Sequence, residues 1–128
     1  MGNVYSTCSS YNFDTIQNYI TQKHDFILIN TLPENNQDCL IQTTINAKKE
    51  NEIINELINK NKKKEIVIYG MNHKDITIIK KYNQLKTFGF TNIHIYFGGL
   101  FEWLLLKEVY GSINFPTDGK TIDILKYK

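Results

Sequence analysis

A short apolar run followed by a turn and an amphipathic helix constrains the fold of this chain more than any other stretch. The run from Ile66 to Tyr69 contains β-branched residues and predicts a fully buried strand. Beyond the turn, apolar residues recur at the three- and four-residue spacing of one helix face, at Ile78, Ile79, Tyr82 and Leu85. The turn is therefore predicted at the carboxyl end of a strand, which is where open α/β sheets bind ligands.

The turn itself consists of Gly70, Met71, Asn72, His73, Lys74 and Asp75. Backbone N–H groups in such a turn can converge on one point, and the following helix directs its partial positive end to the same place. We therefore expect an anion-binding loop for phosphate, sulfate or a carboxylate. The alternative interpretation is that His73 and Lys74 are solvated polar side chains in a loop without a ligand.

Helical and extended patterns alternate along the whole chain. Predicted helices begin near residue 12 and cover 48–60, 76–88 and 100–110, and extended segments cover 26–29, 39–45 and 90–97. This alternation with short connections predicts an α/β fold, a parallel sheet flanked by helices. We expect a flexible tail over residues 1–10 and one domain over 11–128, with residues 112–128 packed back over the last helix.

An ordered set of short motifs covers roughly residues 11–110. It includes Tyr69-Gly70, Phe88-Gly89-Phe90, Asn92-Ile93, Gly98-Gly99 and Trp103, and, less closely, Phe26 to Asn30, Ile41 and Thr44 to Asn46. In this order the motifs resemble the rhodanese-like domain family, whose pattern is strand, Tyr-Cys, loop, helix, Gly-Phe, strand, Gly-Gly and Trp. The resemblance implies a three-layer domain with a five-stranded, mostly parallel sheet flanked by helices.

The departures from the family pattern concern the residues that carry its chemistry. Gly70 stands where the family has its sulfur-carrying Cys, and Met71 and Asp75 stand where Arg is common. Asn30 replaces the usual Asp, and Leu32 replaces the Arg that often follows it. A loop without a nucleophile cannot form the covalent intermediate of sulfur transfer. We therefore expect no catalytic residue, and a catalytically inactive domain that acts as a binding or interaction module for a protein partner.

Two other functions remain open from the sequence. The first is an enzyme of altered chemistry, sulfurtransferase- or phosphatase-like, in which His73, Lys74 or Asp75 acts on an anionic substrate at the loop. The second is a structural subunit whose last helix docks on a partner, because its apolar residues are too many for one buried stripe.

The first residues match a lipidation pattern. Met1-Gly2 with Ser6 fits the signal for N-myristoylation at Gly2, and Cys8 could add a second acyl group, which one myristoyl chain needs for stable membrane attachment. The alternative is an unmodified tail with a free thiol at Cys8. A lipid at Gly2 would place the domain at the cytoplasmic face of a membrane.

Composition excludes several classes of protein. A net charge of +2 does not indicate nucleic-acid binding, and no segment approaches the ~20 apolar residues of a membrane span. Three scattered His residues without Cys or carboxylates at ligand spacing predict neither a metal nor a cofactor site. The two cysteines and the absence of a secretory signal indicate a reducing, cytoplasmic compartment, with Cys39 predicted to be a buried, inert thiol.

Overall fold

The computed structural model describes residues 8–128, and in this part of the chain four α-helices alternate with short strands. The helices are α1 (Phe13–Thr21), α2 (Glu50–Lys60), α3 (Thr77–Thr87) and α4 (Gly99–Tyr110). The strands are β1 (Ser9–Ser10), β2 (Ile27–Asn30), β3 (Leu40–Ile41), β4 (Ile66–Tyr69), β5 (Ile93–Tyr96) and β6 (Thr117–Asp118). Single 3-10 turns lie at Glu34–Asn36 and Ile124–Tyr127.

Within residues 8–128, the main sheet has four parallel strands in the order β1-β5-β4-β2. β4 is central: Ile66 pairs with Ile27 on one side and Ile93 on the other. All four residues of β4 are buried, because helices cover both faces of the sheet. The predicted α/β fold and its mostly parallel sheet are confirmed.

The fifth strand is reduced to a single position beside β2. Leu28 and Thr44 form an isolated parallel bridge, and the Ile45 N–H donates to the Leu28 carbonyl at 2.9 Å. The buried hydroxyl of Tyr69 holds this edge, since it lies 2.7 Å from Thr44 Oγ1 and accepts from the Ile41 N–H at 3.2 Å. In the described part of the chain, the main sheet thus has four strands and one bridge where five strands were expected.

A second, two-stranded sheet lies next to this bridge. β3, immediately upstream of the bridge, pairs antiparallel with β6 from the C-terminal segment. This pairing brings the end of the chain back over α4, where Trp103 Nε1 donates to the Pro116 carbonyl at 3.1 Å and Phe115 and Tyr127 are buried. The prediction that residues 112–128 pack over the last helix is confirmed.

The core is divided into two clusters by the sheet. Alternate side chains of a strand point to opposite faces, so Val67 and Tyr69 belong to one cluster and Ile66 and Ile68 to the other. The first cluster contains Ile16 of α1 and Leu100, Trp103 and Leu104 of α4. The second contains Ile54 of α2 and Ile78 and Leu85 of α3. The domain therefore has three layers, with two helices on each face of the sheet.

The N-terminal boundary of the domain differs from the expected one. Ser9 and Ser10 pair in parallel with His94 and Ile95 of β5, and the Tyr11 N–H continues the ladder to the Ile95 carbonyl at 2.9 Å. The expected flexible tail over residues 1–10 is therefore wrong for its last residues. Two serines show no apolar periodicity, so the sequence carried no signal for this strand. Gly2 lies outside the described residues.

A carboxylate at the amino end of β4 joins α1 and the N-terminal segment to the sheet. Glu65 Oε2 accepts hydrogen bonds from the hydroxyls of Tyr11 at 2.6 Å and Tyr19 at 2.7 Å. Its other oxygen lies 2.7 Å from Nε2 of His24, which stacks on the Tyr19 ring at a centroid distance of 3.9 Å. Tyr11 in turn stacks on His94 at 4.3 Å. One side chain thus connects three separate segments.

Candidate functional site

The loop of residues 70–75 connects β4 to α3 at the carboxyl end of the central strand, as predicted. The first turn of α4 supports it from one side: the Leu100 N–H donates to the Gly70 carbonyl and the Phe101 N–H to the Met71 carbonyl, both at 2.9 Å. These bonds use N–H groups that a helix leaves without partners in its first turn. The backbone at the start of the loop is therefore fixed by a second helix.

Gly99 permits this close contact between α4 and the loop. Its φ is +72°, a conformation that side chains disfavour. A Cβ at this position would lie 2.9 Å from both the Asn72 nitrogen and the Gly70 carbonyl oxygen. A side chain at position 99 would therefore obstruct the contact between α4 and the loop.

The carboxylate of Asp75 lies inside the loop. Its Oδ2 accepts from the Met71 N–H at 2.8 Å, and its Oδ1 accepts from the Thr77 N–H at 3.0 Å and from Thr77 Oγ1 at 2.6 Å. The loop and the first residue of α3 thus direct three donors at one carboxylate. Anion binding at residues 70–75 stays a prediction, and an incoming anion would have to displace Asp75 from these donors.

Gly70 is buried, and the space beside it is already filled. A Cβ built on Gly70 would lie 2.6 Å from Asp75 Oδ2 and 3.0 Å from Ile78 Cγ2. The first value is shorter than any ordinary contact between such atoms. The position that the resemblance assigns to the sulfur-carrying Cys therefore has neither a side chain nor room for one while Asp75 keeps this conformation.

Asn72 ties the loop to the C-terminal segment. Its side-chain oxygen accepts from the Lys74 N–H at 2.9 Å, and its Nδ2 donates to the Tyr127 carbonyl at 2.9 Å. The side chain is almost completely buried. The sequence showed that Asn72 lies in the loop but not what it binds, because its partner is 55 positions away in the chain.

His73 and Lys74 are exposed at the outer side of the loop. An open groove of about 540 Å³ adjoins Lys74 and is lined also by Asp75 and Thr77, among others. Thr77 Oγ1, which donates its proton to Asp75, accepts from the Thr31 hydroxyl at 2.8 Å and so links the loop after β2 to the start of α3. Thr31 and Thr77 show no distinctive spacing in the sequence, so no pattern predicted this contact.

A second open groove of about 660 Å³ lies on the other side of this threonine pair, between α2 and α3. Polar residues dominate its lining, and Lys81 forms an ion pair with Glu50 there. The Asn30 side chain at its edge accepts from the Leu32 N–H at 3.1 Å and exchanges hydrogen bonds with Gln37. Asn30 thus shapes the turn after β2.

Neither cysteine is placed to replace a nucleophile at position 70. Cys39 is fully buried in the first core cluster, and burial raises the pKa of its thiol. Cys8 precedes β1, so it lies near the amino ends of the parallel strands, whereas the loop lies at their carboxyl ends. Burial against the second cluster also raises the pKa of Cys8. The prediction of a buried thiol at Cys39 is confirmed.

Acylation of Gly2 and of Cys8 stays a prediction, since Gly2 is outside residues 8–128 and the Cys8 side chain is only partly exposed. Among the described residues, no helix has both the length and the apolar character needed to cross a bilayer. The same residues place no three His, Cys, Asp or Glu side chains where they could hold a metal ion together.

The parallel sheet, its helices on both faces and the loop at the carboxyl end of the central strand define an α/β domain of the kind that places its ligand site at such a loop. The sequence model of the rhodanese-like domain matches residues 17–106. The chain belongs to the rhodanese-like domain family.

Solved structures show the same fold. The crystal structure of the Alr3790 protein from Anabaena sp. matches with a TM-score of 0.61 and 18% sequence identity, covering 91% of this chain and 97% of that one. A full-length protein from Lactobacillus plantarum matches with a TM-score of 0.61, 12% identity and coverage of 87% and 88%. A thiosulfate sulfurtransferase from Pseudomonas aeruginosa matches with a TM-score of 0.61 and 11% identity over 80% of this chain and 20% of that one. No match was found among curated proteins.

Proposed function

We propose that this chain is a catalytically inactive rhodanese-like domain that acts as a binding or interaction module. The observation that carries the proposal is the identity of the first loop residue. Gly70 directly follows the central strand, at the position where the resemblance puts the sulfur-carrying Cys, and it has no side chain. Sulfur transfer through this loop needs a thiolate that attacks the donor and holds the persulfide, so the covalent step has no acceptor here.

The charge of the loop supports the same proposal. Asp75 stands where the family commonly has Arg, and its carboxylate lies beside Gly70. A sulfur donor such as thiosulfate carries negative charge, which a neighbouring carboxylate repels and an arginine would attract. The loop thus lacks the nucleophile, and the charge beside position 70 is negative, while the one lysine of the loop, Lys74, is exposed at its outer side.

Exposed apolar side chains support an interaction role. Trp103 and Leu104 of α4 are buried beneath the C-terminal segment, but Val109 is 73% exposed and Ile113, just beyond the helix, is 92% exposed. Apolar surface of this kind is typical of contacts with other proteins. We propose a protein partner for the module, with a lipid at Gly2 as an additional membrane attachment at the cytoplasmic face.

The proposal is tested by sulfur transfer from thiosulfate to cyanide, with the intact mass recorded before and after thiosulfate. We expect no turnover and no added sulfur, both for the wild type and for Cys8→Ala/Cys39→Ala. Turnover by the wild type would refute the proposal, and its loss in the cysteine-free variant would assign the activity to Cys8 or Cys39. Activity that disappears in His73→Ala/Lys74→Ala would instead support an enzyme of altered chemistry at the loop. The mass of protein purified from eukaryotic cells reports loss of Met1 and addition of myristate.

A further inference from the structure

The conformation of Gly70 shows that its backbone does not require glycine. Four other glycines, Gly89, Gly99, Gly111 and Gly119, have φ in the left-handed region, and Gly70 does not. Alanine or cysteine could therefore adopt its backbone without strain. The reason why a side chain does not fit at position 70 must lie in the atoms around it.

Asp75 supplies most of that obstruction. Its Oδ2 and Cγ would lie 2.6 and 3.0 Å from a Cβ at position 70. The end of a side chain can often move away from a new neighbour, but this carboxylate is held by the Met71 N–H on one oxygen and by Thr77 on the other. Moving it would break hydrogen bonds to a charged group, which are the stronger kind.

We propose that Asp75 is an internal ligand of the loop: its carboxylate takes the place of an external anion and closes the loop both to a side chain at position 70 and to oxoanions. The donors that an oxoanion would use, the N–H groups of Met71 and Thr77, are the ones that Asp75 occupies. This inference goes beyond the proposed function and does not depend on it, because it concerns the space and the donors in the loop and not catalysis.

A double-mutant cycle tests the steric part. In the wild-type background, Gly70→Ala should lower the melting temperature by roughly 5–10 °C, as expected for overpacking a buried site. In the Asp75→Ala background the same change should cost less than half as much, with the remainder due to Ile78. Asp75→Asn is the matched control, since it keeps the bulk of the side chain without its charge, and there Gly70→Ala should remain costly. Equal losses in the Asp75→Ala and wild-type backgrounds would overturn the steric part.

Titration with inorganic sulfate, followed by backbone amide NMR, tests the second part. The wild type should show no saturable shift at the Met71 and Thr77 amides, whereas Asp75→Ala should show one at both. Glu52→Ala, which removes one exposed negative charge on α2, controls for net charge and should behave as the wild type. If Asp75→Ala does not fold, Asp75→Ser replaces it, because serine also vacates the space beside Gly70. Equal sulfate shifts in the wild type and the Asp75 variant would overturn the internal-ligand inference.

The two proposals fail in different ways. Sulfur transfer by the wild type would refute inactivity and leave the results at positions 70 and 75 unchanged. An additive cycle at Gly70 and Asp75, with no new sulfate binding, would refute the role of Asp75 and leave an inactive domain.

Discussion

Glu65→Gln should destabilise the domain because it removes one partly buried carboxylate that three side chains contact. Glu65 accepts hydrogen bonds from Tyr11 and Tyr19 on one oxygen and contacts His24 through the other, at 2.6 to 2.7 Å, and its side chain is only 14% exposed. A hydrogen bond to a charged group contributes about 1.5–3 kcal/mol, and glutamine keeps one acceptor oxygen. Because the three bonds share one carboxylate and are not additive, we expect the free energy of unfolding at pH 7 to fall by about 2–4 kcal/mol.

The pH dependence of this loss of stability provides a second test of the role of Glu65. Burial alone would raise the pKa of Glu65, but hydrogen bonds from Tyr11, His24 and Tyr19 together lower it below its ordinary value. A carboxyl group whose pKa is lower in the folded state stabilises that state above its unfolded pKa and loses the contribution as the pH falls through its folded pKa. The difference in free energy of unfolding between the wild type and Glu65→Gln should therefore reach its maximum above about pH 5 and decrease as the pH falls below that value.

Urea denaturation monitored by circular dichroism from pH 3 to pH 7 measures both effects, and an unchanged m-value shows that the comparison concerns stability. Glu56→Gln is the control, since Glu56 pairs with Lys60 on the exposed face of α2 and should give no measurable loss. A Glu65→Gln variant as stable as Glu56→Gln, or a stability difference that grows as the pH falls, would refute the reasoning.

Two substitutions and one labelling experiment test other parts of the structure. Gly99→Ala should cost at least about 2 kcal/mol in urea denaturation, because its φ of +72° is unfavourable for alanine and its Cβ would lie 2.9 Å from the Asn72 nitrogen; a neutral result would contradict the contact. Tyr69→Phe should cost about 1–2 kcal/mol, since it removes the hydroxyl that contacts Thr44, and an equally stable variant would show that this bond is dispensable. Cys39 should be alkylated at least ~100-fold more slowly in the native protein than in urea, as intact mass can show, and fast native labelling would disprove its burial.

The elements closest to the loop could be predicted well from the sequence. The bounds of β4 coincide with the apolar run from Ile66 to Tyr69, because a strand buried on both faces leaves a continuous apolar signal. The helix predicted over 76–88 is Thr77–Thr87, and Gly89 ends it with φ of +101°. Local pattern was sufficient here because each signal lies within the element it predicts.

The contents of the loop could not be predicted in the same way. Asp75 was placed in the loop by its position, but its role as acceptor for Met71 and Thr77 depends on how the chain folds back over a few residues. The bond from Asn72 to Tyr127 depends on tertiary packing. β1 gave no signal, because Ser9–Ser10 enters the sheet by backbone pairing alone.

The contact between Asp75 and the Cβ position of residue 70 also imposes an order on sequence change during evolution. Substitutions arise one at a time, and a chain that falls below the stability threshold is removed by selection. A side chain that arises at position 70 while Asp75 is present meets a carboxylate that its neighbours hold in place. A side chain that arises at position 70 after Asp75 has been replaced by a smaller residue contacts chiefly Ile78. The route from this loop to one with a side chain at its first position therefore costs less stability when it begins at position 75.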